Sequence, residues 1–196
     1  MPHISPPPNP RRIASRLLLA GILAMAPLPA RSADRELRPP FGLAWKVPSL
    51  DLEMALVGAS GQIVTRKKEP AEGETWFVEG LPQLALQRAK FQLRKDRLCG
   101  VVLEYGKADW TAANYDGFMK SVRQRIDEMH GPGAQIARRQ DSERGVLQTL
   151  LGYRWTVTGG SIELIYFAAQ NPTNIFRTVS LHYAAEPPAE VAEESH

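Results

Sequence analysis

Cysteine is almost missing from this chain: Cys99 is the only one among 196 residues. A single thiol closes no internal disulfide, so the fold must hold itself together by packing. Cys99 lies in the apolar stretch 98–103, where it reads as a small buried hydrophobe rather than a reactive thiol. Histidine is also scarce. Only His130 and His182 fall within the expected folded region, and no His or Cys pair has metal-ligand spacing. There is no Gly-x-Gly-x-x-Gly and no phosphate-cradling loop. Residues 58–62, Gly-Ala-Ser-Gly-Gln, lack the last glycine of a nucleophile elbow. They also follow a helical pattern where that motif needs a strand, so they read as a turn. The expectation is a protein that is not an enzyme and carries no metal and no cofactor.

Long hydrophobic runs are missing too. The longest spans residues 17–26 before Pro27 and Pro29. That is about half of the roughly 20 residues a spanning helix requires. What is present around it forms an address. Residues 1–33 contain no acid and four arginines, Arg11, Arg12, Arg16 and Arg31. Ala30 and Ser32 are the small residues of a cleavage site after Ser32. A basic segment, a short apolar run and a small-x-small site describe a Sec-type signal peptide over residues 1–32. The expected location is therefore periplasmic or secreted, with no transmembrane anchor after cleavage. No cysteine follows the run, so there is no lipoprotein acceptor.

Charge of one sign is not in large excess: 24 Lys and Arg face 21 Asp and Glu, a formal +3. Removing the leader leaves 20 bases against the same 21 acids, a formal −1. Residues 35–185 hold 20 bases and 16 acids, whereas residues 186–196 hold four glutamates and no Lys or Arg. The polar, Pro-interrupted tail 186–196 is expected to be disordered. A near-neutral exported chain is not expected to bind nucleic acid.

Between a linker at 33–40 and that tail, residues 41–185 read as one domain with halves at about 41–108 and 109–185. A helical pattern runs through Leu50, Met54 and Val57 and closes at Gly58. Strand patterns follow at 62–68, 75–78, 84–93 and 98–105. In the last two, Arg94 facing Arg97 would set Phe91 against Gly100 and Ala89 against Val102. The second half opens on a clearer helix, with Tyr115, Phe118, Met119, Val122, Ile126 and Met129 at helical spacing. Asp109 or Thr111 can cap its start, and residues 130–133, His-Gly-Pro-Gly, stop it. Residues 135–138 suggest a short strand. Residues 147–158 and 161–169 flank Gly159-Gly160, a hairpin turn. Pairing Thr158 with Ser161 would set Trp155 opposite Leu164 and Tyr153 opposite Tyr166. A last strand covers 176–184. The economical fold is α+β: an antiparallel sheet with helices on one face, built as two tandem helix-plus-strands units.

The opening Phe41-Gly-x-x-Trp45, and the later helix, glycine stop and Trp-bearing strands, resemble small exported bacterial proteins of unknown function. The layout is similar to the helix-plus-sheet units of the β-lactamase inhibitor protein and of small outer-membrane assembly lipoproteins. Related openings place Trp-Gly before a helix-capping Ser or Thr, whereas this chain has Lys46-Val47-Pro48-Ser49. The resemblance implies no catalytic residues.

Two surface candidates emerge. Alternation along the strands puts Arg154, Thr156, Glu163, Ser180 and His182 on the face away from the helices, with Thr156 opposite Glu163. Such a face is a solvated surface or a shallow binding surface. Arg88, Lys90, Arg94, Lys95 and Arg97 crowd the first hairpin and could dock an acidic protein or anionic headgroups. The best-supported function is binding of a protein or cell-envelope component. The alternative is a small periplasmic hydrolase using His182 with Glu163 and a serine.

Overall fold

The structure is a computed structural model that describes residues 36–70 and 72–186. The expected signal peptide, and the acidic tail after Glu186, lie outside the described residues.

Helix α1 (Ser49–Gly58) is followed by four strands, β1 (Gln62–Glu69), β2 (Gly73–Glu79), β3 (Leu86–Arg94) and β4 (Arg97–Tyr105). The order then repeats as α2 (Ala112–His130), β5 (Ala134–Glu143), β6 (Val146–Val157), β7 (Gly160–Gln170) and β8 (Ile175–Ala185). All strands join one antiparallel sheet in the order β1-β2-β3-β4-β8-β7-β6-β5. The two meanders therefore meet through their last strands, β4 against β8. This is the α+β fold, and each half contributes one helix and four strands.

Both helices cover the same face of the sheet. Leu52 and Leu56 of α1, and Tyr115, Met119 and Ile126 of α2, share one core with Phe91, Leu103, Leu164 and Leu181. Helix α2 starts on a reciprocal cap: the Thr111 side chain accepts from Asn114 N, and Asn114 Oδ1 accepts from Thr111 N. It ends at Gly131, whose φ of 81° suits a residue without a side chain. Asp127 fixes this end to the sheet. Its Oδ1 accepts from Trp155 Nε1 at 3.0 Å and from Gly133 N at 2.9 Å.

Four expectations are corrected. In α1 the residues Leu50, Met54 and Val57 are exposed, while Leu52 and Leu56 are buried. The helix is apolar on both sides, so periodicity allowed either orientation. Burying two leucines contributes about 1.5–3 kcal/mol each. In the β3–β4 hairpin Arg94 does face Arg97, but a bulge follows, so Phe91 opposes Val101 and Ala89 opposes Leu103. The extra residue puts Val101, Leu103 and Tyr105 on the core face instead of Gly100 and Val102. The β6–β7 hairpin turns at Thr158-Gly159, not Gly159-Gly160. Val157 pairs with Gly160, Trp155 with Ile162, and Tyr153 with Leu164. Gly160 is needed inside the strand, because a Cβ there would strike the Ala184 carbonyl. Finally, the stretch read as a linker reaches into the core. Leu37 is 3% exposed, its N–H donates to Thr158 O, and its carbonyl accepts from Trp45 Nε1 at 2.8 Å.

Candidate functional site

The sheet face without helices is built by alternation. On β8, Val179 and Leu181 enter the core, so Thr178, Ser180 and His182 point the other way. On β7, Ile162 and Leu164 are buried, leaving Glu163, Ile165 and Phe167 on the helix-free side. On β6, Trp155 reaches α2, which turns Arg154 and Thr156 outward. All five residues of the first candidate, Arg154, Thr156, Glu163, Ser180 and His182, thus share this face.

Their pairing differs from the expectation. Moving the turn back by one residue shifts the pairing by two and places Arg154 directly opposite Glu163 and Thr156 opposite Ser161. Arg154 Nε donates to Glu163 Oε1 at 2.7 Å, and Nη2 lies 2.5 Å from the same oxygen. Glu163 also stands opposite His182 across β7 and β8. Among the described residues, however, no hydrogen bond or ion pair joins those two side chains. His182 instead shares a 2.8 Å hydrogen bond between its Nε2 and Ser180 Oγ. Burial lowers the pKa of His182 below its ordinary value. Glu163 and Glu104 pull it upward, while Lys90 pushes it further down. The imidazole is therefore neutral near pH 7.

The basic hairpin candidate divides. Arg88 and Lys90 lie on the helix-free face and are neutralised there, by Glu79 at 3.1 Å and Glu104 at 2.5 Å. Arg94, Lys95 and Arg97 sit at the far end of the hairpin and have no carboxylate partner among the described residues. Several other lysines and arginines are paired in the same way, as in Arg66 with Glu53 and Lys68 with Glu74.

Sequence reasoning missed two parts of this face. One is Glu104, which holds Lys90 and pairs in register with Ser180. Finding it required the bulge at the start of β4. The other is an apolar field beyond Ser180. Ile165 lies opposite Gly152, Phe167 opposite Leu150, and the Phe167 and Phe176 rings are 6.2 Å apart. Phe176 is 57% exposed. Ile136, bulged out of β5, fills the space above Gly152. The signal was the uninterrupted apolar run 164–168, which marks a strand apolar on both faces.

Chemically, a neutral imidazole in hydrogen-bond reach of a hydroxyl is two thirds of a nucleophilic set. The carboxylate that would orient it is engaged by Arg154. The main cavities lie elsewhere, one of about 660 Å³ beside Ile126 and Tyr183 and one of about 430 Å³ at the first hairpin. Among the described residues no cluster of three His, Cys, Asp or Glu could hold a metal ion. No described helix is long and apolar enough to cross a membrane. Comparison with protein-family models, curated proteins and solved structures finds no match to the chain.

Proposed function

We propose that this chain is exported and acts as a binding module, using the helix-free sheet face to hold a protein of the cell envelope. The carrying observation is the composition of that face. Ile165, Phe167 and Phe176 form an apolar field that no helix covers. The ion pairs Arg154–Glu163 and Lys90–Glu104 border it. An apolar, aromatic centre with a polar rim is the anatomy of a protein interface. The N-terminal pattern of residues 1–32 supports export.

The hydrolase reading draws on the Ser180–His182 hydrogen bond. Against it, Glu163 is committed to Arg154, and neither Ser180 nor His182 lines the two main cavities.

An envelope pull-down tests the proposal. Phe167→Asp/Phe176→Asp should abolish recovery of the partner, and Arg154→Ala/His182→Ala should weaken it, with the melting temperature of both variants close to wild type. Full recovery by the first variant sinks the proposal.

A further inference from the structure

The end of the first hairpin carries an unexplained concentration of positive charge. Arg94 of β3 and Arg97 of β4 face each other directly, an arrangement that is repulsive between neighbouring strands. Lys95 and Asp96 form the turn between them. Lys46 arrives from the segment before α1, and its carbonyl accepts a 3.0 Å hydrogen bond from Arg97 Nη1. These four side chains surround a cleft of about 430 Å³. One acid, Glu186, also lines it. Arg88 and Lys90 on the same two-stranded unit are each matched by a carboxylate, whereas these four are not, among the described residues. Four cations around one hollow repel one another, and an anion bound among them would relieve that repulsion.

The floor narrows the choice of anion. Ala184, Ala185 and Cys99 line it, so the hollow combines a cationic rim with an apolar base. The Gln92 amide, which also lines the cleft, lies across Gly100, where any Cβ would displace it. Two guanidinium groups on opposed strands offer planar forks to a multi-oxygen anion, and two ammonium groups add charge without directionality. We infer that this cleft binds a phosphate-headed amphiphile: the phosphate at Arg94, Arg97, Lys46 and Lys95, the apolar body on Ala184, Ala185 and Cys99. The site is separate from the sheet face proposed for protein binding, so either can fail without the other.

Calorimetric titration of the full chain with monomeric octyl phosphate tests the inference, alongside octyl glucoside and inorganic phosphate. Octyl phosphate should bind at one site at least about tenfold more tightly than either comparison compound. Arg94→Gln/Lys95→Gln removes two cations that make no side-chain hydrogen bond or ion pair among the described residues. It should weaken octyl phosphate by about tenfold or more while the unliganded melting temperature stays unchanged. Vesicles of phosphatidylcholine with and without phosphatidylglycerol identify the source. Capture only with phosphatidylglycerol, lost in the double variant, marks a lipid headgroup. Octyl phosphate binding without vesicle capture marks a soluble phosphate ester. Equal binding of octyl glucoside or of inorganic phosphate, or unchanged binding by the double variant, overturns the inference.

Discussion

Ser180 Oγ and His182 Nε2 stand 2.8 Å apart on the outer side of β8, two residues from each other along one strand. That strand is the seam of the molecule: on one side it pairs with β4 of the first half, on the other with β7 of its own half. The hydrogen bond therefore lies where the two meanders meet, flanked by Glu104 from one and Glu163 from the other.

Stability should decline through this site as the pH drops. Burial holds the folded pKa of His182 below 6.5, its value in an open chain. Below about pH 6.5 the unfolded chain then takes up protons that the folded chain resists, so acid favours unfolding. The contribution is fully present above pH 6.5 and is lost as the pH falls toward the lower folded value. Melting curves of wild type and His182→Gln, from about pH 8 down to pH 5, should converge in steepness only if other groups dominate. The account expects a flatter decline for the variant. Parallel curves would remove His182 as the cause.

The join between α2 and the sheet depends on Asp127. Asp127→Ala strips an acceptor from Trp155 Nε1, leaving the Gly131 carbonyl at 3.0 Å, and from the Gly133 amide altogether. A loss of about 1–3 kcal/mol in urea unfolding is expected, because the part-buried Gly133 amide loses its partner and Trp155 Nε1 loses one of two. Asp127→Asn keeps an acceptor oxygen and should lose clearly less. Equal losses would assign the effect to charge rather than to the hydrogen bonds.

The two adjacent glycines have different duties. Gly159 occupies the turn with φ +85°, a conformation asparagine also accepts, and a Cβ there would meet only Glu36 at 3.7 Å. Gly160 presses against the Ala184 carbonyl and the Leu37 side chain. Gly159→Asn should change stability by no more than about 0.5 kcal/mol, whereas Gly160→Ala should remove about 2–3 kcal/mol. Chemical denaturation of the two variants decides it; a benign Gly160→Ala would move the turn back to Gly159-Gly160.

These glycines also show where the sequence was legible and where it was not. Helix α2 was readable because its apolar residues form one stripe, with Thr111 and Gly131 at its ends. The strands were readable from alternation, and alternation alone assigned Arg154, Glu163 and His182 to one face. Registers were readable only next to the first hairpin turn, where Arg94 faces Arg97 as expected. A two-residue slip preserves which face every side chain occupies, so the β6–β7 pattern could not separate the two turns. A one-residue bulge does the opposite: it exchanged Val102 for Leu103 in the core, and Cys99 carries no signal that announces it. The orientation of α1 was hidden for a third reason, since Leu52 with Leu56 and Leu50 with Met54 have the same spacing.

The central claim is that the helix-free face is the working surface, and site-specific photo-crosslinking in intact cells tests it most directly. A photoreactive phenylalanine analogue at Phe176 reports from the apolar field. The same analogue at Met54, exposed on α1 across the sheet, reports from the opposite side. The account predicts a discrete protein adduct from position 176, abolished by Phe167→Asp, and none from position 54. An adduct from position 54 with none from position 176 would contradict it.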